Sequence, residues 1–253
     1  MTESVNTQQQ TQFRILLIGD NCTDVYQYGT IDRLSPEAPV PVFVPTRTEE
    51  RAGMAGNVAN NLEALGCYVN YLHGETSVKT RLIDERSKQQ IVRIDRDAQS
   101  TPITFDTDIP NVYDAVVISD YNKGTVSYEL IEELIALSIP IFIDTKKPDL
   151  ERFQGAWVKI NELEYSKIKS ECSGLIVTRG SKGASAIHHD IHVSSPSVEV
   201  VDVTGAGDTF LAALAYQYLD TGNIERAIRF ANTASAVTVQ HLGVYAPTLK
   251  EMG

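Results

Sequence analysis

The chain has 253 residues, 42% of them hydrophobic and 22% charged, enough for one globular domain with a small appendage. A formal net charge of −11 excludes nucleic acid as a general partner, though not a phosphorylated small substrate held by a few local cations. Three scattered cysteines, Cys22, Cys67 and Cys172, fit neither a disulfide framework nor a zinc spacing and point to a reduced, cytoplasmic setting. No apolar run approaches the roughly 20 residues of a membrane helix.

Residues 1–12, MTESVNTQQQTQ, are polar without an apolar centre and read as a disordered tail, not a signal peptide. The first apolar run, ILLI (Ile15 to Ile18), is too short for a helix and too continuous for a half-exposed strand, so it predicts a buried parallel strand. Val25 to Arg47 has β-rich ends and four prolines, which suits an antiparallel excursion forming part of a lid. Val58, Leu62 and Leu65 mark a helix that stops at Gly66. SVKTRLI (77–83) and QQIVRID (89–95) alternate about DERSK, predicting a hairpin; with it, 77–97 completes the lid. AVVI (Ala115 to Ile118), IPIFI (Ile139 to Ile143) and GLIV (Gly174 to Val177) repeat the pattern of the first run. Leu130, Leu134 and Leu137 mark a helix, and Ile224, Ile228 and Ala231 another, opened by Gly222-Asn223 as stop and cap. This alternation predicts an α/β sheet covered on both faces.

Polar residues follow each apolar run: Gly19-Asp20, Ser119-Asp120, Asp144-Thr145-Lys146 and Thr178-Arg179-Gly180. In an open α/β sheet, ligands bind outside the carboxyl ends of the strands. Loops are polar in any case, but four such clusters together favour a ligand-binding rim.

Near the end, VVDVTGAGDTFLAALAYQYL (Val200 to Leu219) feeds a glycine-rich loop into a helix. Gly205, Ala206 and Gly207 at a helix N-terminus suit an anion hole, because first-turn amides lack backbone partners and glycine lets a ligand come close. Asp208 beside a bound anion is repulsive unless it accepts a proton from a substrate hydroxyl while the amides stabilise a transferring phosphoryl group. The helix dipole is expected to keep it ionised. The loop alone fits equally well an ordinary acidic residue in a first helical turn. The chain has no Gly-Lys dipeptide, so the P-loop is absent, and GAGDTF lacks the third glycine of a dinucleotide fingerprint. His188, His189 and His192 lie in an alternating stretch without a glutamate or cysteine companion in sequence and read as an exposed hairpin before a metal site.

DVTGAGD resembles the D-T-x-G-A-G-D signature of the ribokinase-like (PfkB) carbohydrate kinases, with Val203 for the usual threonine. NELE (161–164) is similar to that family's N-x-x-E, VTRGSKGA (177–184) to its nucleotide-side strand and turn, and GDNCTD (19–24) to its strand-one motif. AGMAGNVANNLEALG (52–66) resembles its N-terminal glycine-rich segment, with Gly53-Met54 where a Gly-Gly pair is usual. A narrower resemblance, through RLSPEAPVPV, SVKTR, QQIVRIDRD and SDYNKG, is to kinases acting on heptose 7-phosphate in ADP-heptose synthesis.

The resemblance implies a three-layer α/β/α sandwich of ribokinase type with a β lid, ATP and Mg²⁺ as cofactors, and a homodimer through the lid. It implies Asp208 as base and Gly205, Ala206 and Gly207 as anion hole. Asn161 and Glu164 would organise the metal through water. Lys146, Asn161, Thr178, Gly180, Gly183 and Asn232 would meet the nucleotide. Asp20, Asp24, Gly53, Asn57 and Asp120 would meet the sugar, and Lys79, Arg81 and Arg93 its phosphate, with Lys123 near the transfer point. Surface salt bridging is the alternative for the two arginines. Another ribokinase-type kinase, for ribose, fructose or fructose phosphate, and a non-catalytic binder both stay open. The bifunctional relatives' H-x-G-H cytidylyltransferase motif is missing. Relatives also insert a helix and strand between YLHGETS and SVKTR, where this chain is trimmed.

Overall fold

The computed structural model describes residues 12–104 and 112–252; the proposed tail lies outside them except for Gln12. Its centre is a ten-stranded mixed sheet in the order β10 (Ile191–Val193), β9 (Ala184–Ala186), β8 (Leu175–Thr178), β7 (Trp157–Asn161), β6 (Ile141–Thr145), β5 (Ala115–Asp120), β1 (Arg14–Thr30), β3 (Tyr68–Asp84), β4 (Gln90–Arg96), with β2 (Val44–Met54) paired to β1. The four expected apolar runs form β1 (Arg14–Thr30), β5 (Ala115–Asp120), β6 (Ile141–Thr145) and β8 (Leu175–Thr178). Between β6 and β8 lies β7 (Trp157–Asn161), and the run from β5 to β8 pairs in parallel throughout.

Alternate residues of each buried strand supply the two faces. Ile15, Leu17, Val117, Phe142 and Ile176 pack under α1 (Ala55–Ala64), α4 (Ala206–Thr221) and α5 (Ile224–Thr238). Leu16, Ile18, Val116, Ile143, Val158 and Val177 pack under α2 (Tyr128–Ile135) and the turn at Leu150–Phe153. Both faces are thus apolar, which is why these strands read as continuous apolar runs. The helix expected through Leu137 ends at Ile135, because Ser138 turns the chain with φ 60°. Asn223 caps α5, its side chain accepting from the Arg226 amide.

β1 changes character along its length. Ile15 to Gly19 lie between β3 (Tyr68–Asp84) and β5, fully buried; beyond Asn21 the neighbour opposite β3 is β2 (Val44–Met54), antiparallel. There burial alternates, with Cys22, Asp24, Tyr26 and Tyr28 inward. β3 likewise continues past the sheet to pair with β4 (Gln90–Arg96) as the expected hairpin. Two 17-residue strands therefore run unbroken from the buried sheet into an extension. The pairing slips between Gly19 and Asn21, opposite His73 and Thr76. At the end of β2, Met54 holds φ 52° and ψ −132°, a region that favours glycine. This is the position where the resemblance places the second glycine.

The three cysteines are free and buried. His188 meets Glu171 at 2.9 Å, His189 lies against Trp157 and His192 against Ser185. Among the described residues no cluster of metal-ligating side chains exists. No helix among them is long and apolar enough to cross a membrane.

Candidate active site

A cavity of about 150 Å³ opens at the carboxyl ends of β5, β6 and β7, against the first turn of α4. Asp120, Tyr121, Asp144, Lys146, Lys159, Asn161, Glu164, Gly205, Gly207 and Asp208 line it. The rim clusters after the second and third apolar runs therefore meet the glycine loop in space.

Gly205 is the residue before α4 and has φ 79°; no side chain caps this helix, so its first-turn amides face the cavity unshielded by a cap. A Cβ at Gly205 would lie 2.7 Å from the Asn57 Nδ2, and one at Gly207 2.9 Å from the Lys159 Nζ. Both glycines are needed for close approach.

Asp208 is buried in that first turn. Its Oδ2 accepts a hydrogen bond from Asn57 Nδ2 (2.9 Å), and its Oδ1 accepts one from the Tyr121 hydroxyl (3.1 Å). Burial pushes its carboxyl up to about 6, opposed by the Asn57 bond, reinforced by nearby Asp144, and opposed again by Lys159 and Tyr121. The expectation that the helix end simply secures ionisation is corrected here: loss of water outweighs the first-turn location. The result suits a general base, whose optimum lies near working pH. Burial, helped by Asp208 and Asp144, raises the Tyr121 phenol well above its ordinary value, so it stays a donor.

Lys159 and Asp144 sit side by side on β7 and β6 and pair at 2.6 Å, both largely buried. Burial opposes the Lys159 charge, but Asp144 outweighs it and holds the ammonium above its ordinary value. Asp144 was expected only as part of the ligand-binding rim; neither Lys159 nor Tyr121 was expected in the site. SDYNKG carried the only signal for the tyrosine, and a lone lysine within WVKIN carried none.

Asn161 and Glu164 form a reciprocal capping box on the short helix α3 (Glu162–Tyr165): Asn161 Oδ1 accepts from the Glu164 amide at 2.8 Å and Glu164 Oε2 from the Asn161 amide at 2.9 Å. Lys146 lies 3.8 Å from Glu164 and 4.6 Å from the Tyr121 ring centre. Thr178 bonds the Ile160 carbonyl, Gly180 and Gly183 take positive φ in the turn after β8, and Asn232 donates to the Val193 carbonyl at 2.9 Å. None of these last four lines the cavity.

The residues expected at the sugar are heavily engaged. Asp20 accepts the amides of Tyr121 and Lys123 at 2.8 and 3.1 Å, fixing the loop that delivers the tyrosine. Asp24 pairs with Arg81 and presses on Gly53, where a Cβ would collide with its carboxylate. Asp120 holds Lys147 and the Thr145 hydroxyl, each at 2.7 Å. Arg93 pairs with Asp95 on the exposed β4 at 2.8 Å, and Lys123 with Asp97 at 2.6 Å. Lys79 stands 5.9 Å above the Tyr121 ring.

Residues 154–251 match the pfkB family carbohydrate kinases. The bifunctional protein HldE of Nitratiruptor sp. is 35% identical over 297 aligned positions, and that of Pasteurella multocida 31% over 301. These alignments take in 94% and 95% of this chain but 64% and 63% of the relatives, so the chain spans less than two thirds of their length. Since 94% of 253 residues is about 238, against 297 aligned positions, roughly 60 positions of the Nitratiruptor alignment have no counterpart here. The ribokinase of Thermotoga maritima superposes with TM-score 0.72 at 17% identity, covering 95% of this chain and 98% of that one. Arabidopsis thaliana ribokinase, complexed with ribose and ATP, gives 0.72 at 18%, covering 96% and 98%. The fold is that of the ribokinases, and within it residues 154–251 are similar in sequence to the pfkB family carbohydrate kinases.

Proposed function

We propose that this chain transfers the γ-phosphoryl group of ATP to a hydroxyl of a phosphorylated sugar, heptose 7-phosphate at its anomeric hydroxyl being the best-supported acceptor. The observation that carries the reading is the buried Asp208 carboxylate, held by Asn57 and Tyr121 beneath the uncapped first turn of α4 and facing a cavity with two ammonium groups. The substrate oxygen attacks the γ-phosphorus, and its bond forms as the bond to the β,γ-bridging oxygen breaks. The electron pair leaves on ADP, and the hydroxyl proton passes to Asp208. The amides of the Gly205–Gly207 turn stabilise the charge on the transferring oxygens.

The cavity's mixture of carboxylates (Asp144, Glu164) and ammonium groups (Lys146, Lys159) fits a magnesium–nucleotide pair. Magnesium would neutralise phosphate charge, with Asn161 and Glu164 organising its water. Lys79, close over Tyr121, is the extension's cation best placed for a sugar phosphate. The extension acts as a lid in this reading. Its outer strand β4, exposed along its length with Ile91, Val92 and Ile94, supports a homodimer. The setting is cytoplasmic, where ATP and sugar phosphates are available.

A second reading, a sugar-phosphate binder without turnover, is favoured by one feature: β3 runs straight through the place where relatives carry extra residues. The deciding measurement is ADP release with ATP and magnesium against heptose 7-phosphate, sedoheptulose 7-phosphate, fructose 6-phosphate, fructose and ribose. Turnover on the heptose phosphate, lowered roughly 10²–10⁴-fold by Asp208→Asn, is expected. Silence across the panel, from protein that melts cooperatively and is stabilised by ATP, would replace the kinase reading with the binder.

A further inference from the structure

Lys159 lies in the middle of a buried strand, between Val158 and Ile160, whose side chains pack into the opposite core. Strand alternation turns Lys159 to the α4 face, where only 4% of it is exposed. Burying an ammonium is expensive unless its hydrogen-bonding capacity is used. An ammonium has three donors; among the described residues Asp144 is the one acceptor that Lys159 meets.

Lys147 shows the contrast. It is equally buried, yet it gives hydrogen bonds to both Asp120 and the Val126 carbonyl and does not line the cavity. The Lys159 Nζ instead occupies the space that a side chain at residue 207 would fill. Its unused donors are therefore at the glycine turn, beside Asp208.

We propose that Lys159 is a phosphate-contacting catalytic residue: held by Asp144 against Gly207, its ammonium donates to an oxygen of the transferring phosphoryl group alongside the helix amides. The inference rests on the kinase reading. It assigns the Asp144–Lys159 pair a role that a merely structural ion pair lacks, since a fixed cation at the transferring group acts most strongly as charge redistributes in the transition state.

The test compares Lys159→Met and Asp144→Asn with the unaltered chain, in kcat, in KM for ATP and in melting temperature with and without sodium tripolyphosphate. Lys159→Met is expected to lower kcat roughly 10²–10³-fold with KM for ATP changed less than about threefold. Asp144→Asn, which leaves the ammonium present but unrestrained, should lose less. Tripolyphosphate should raise the melting temperature of the unaltered chain and fail to raise that of Lys159→Met. A kcat within threefold of normal in Lys159→Met would overturn the proposal and leave a structural ion pair. If the unaltered chain phosphorylates nothing, the kinase reading fails separately. The tripolyphosphate comparison then decides the lysine: equal stabilisation of both proteins would overturn the contact.

Discussion

Replacing Tyr121 by phenylalanine removes one hydroxyl and leaves the ring between Lys79 and Lys146. That hydroxyl donates to Asp208 Oδ1 at 3.1 Å, stabilising the ionised carboxylate. A hydrogen bond to a charged group contributes about 1.5–3 kcal/mol. At 3.1 Å the bond is longer than the strongest charge-assisted O–H···O⁻ bonds, so the lower figure applies, roughly one pKa unit. Asp208, now titrating at about 6, should move to about 7. The ionised fraction at pH 7 then falls from about nine tenths to about one half. The assay is initial rate of ADP formation from pH 5.5 to 9, taken as kcat/KM, which reports the free enzyme. The acid limb should move up by about one unit, while the rate plateau above pH 8.5 drops only modestly. An acid limb displaced by less than 0.3 unit, or displaced downward, would refute both the hydrogen bond's role and the assignment of that limb to Asp208.

Asp208 also links stability to pH. Its folded-state value lies above the ordinary 3.8, so between about pH 4 and 6 the folded chain holds a proton that the unfolded chain releases. Stability should fall as pH rises through that window, by up to about 3 kcal/mol. Asp208→Asn should therefore be more stable than the unaltered chain by about 1–2 kcal/mol at pH 7.5, after loss of about one hydrogen bond, and no more stable at pH 4. Urea titrations at the two pH values measure this, and a destabilised variant at pH 7.5 would contradict it. For the second buried pair, Asp120→Ala strands the Lys147 ammonium and should cost about 3–5 kcal/mol. Adding Lys147→Met should recover much of that loss, and a double-mutant cycle without coupling would show the pair to be inert.

Much of the sheet was legible because fully buried parallel strands leave uninterrupted apolar runs; β1, β5, β6 and β8 all have one. β7 was hidden by the residue that matters most in it. Lys159 breaks the apolar run, and its neighbour on β6, Asp144, makes its burial tolerable. The glycine loop and Asp208 could be read locally, because a helix N-terminus and its glycines are contiguous in sequence. What surrounds Asp208 could not: Asn57 is 151 residues away and Tyr121 is 87, joined by the fold alone. Its protonation was misjudged for the same reason, since the helix end is visible in sequence and the loss of water is not. Met54 was noticed as a departure from glycine, but its positive φ belongs to the turn from β2 into α1, which only the structure displays.

The unbroken passage of β1 and β3 from core to extension has a mechanical consequence. A lid on a loop swings at that loop, and its motion is insulated from the body. If the extension closes as the lid proposed above, the two long strands would act as leaf springs clamped in the core, and closure would flex the sheet itself. The compliant point is the slip in pairing between Gly19 and Asn21, beside Asp20 and the loop carrying Tyr121. Flexing the extension would therefore tug on one of the groups that lower the proton affinity of Asp208, tying occupancy of the outer strands to the readiness of the base.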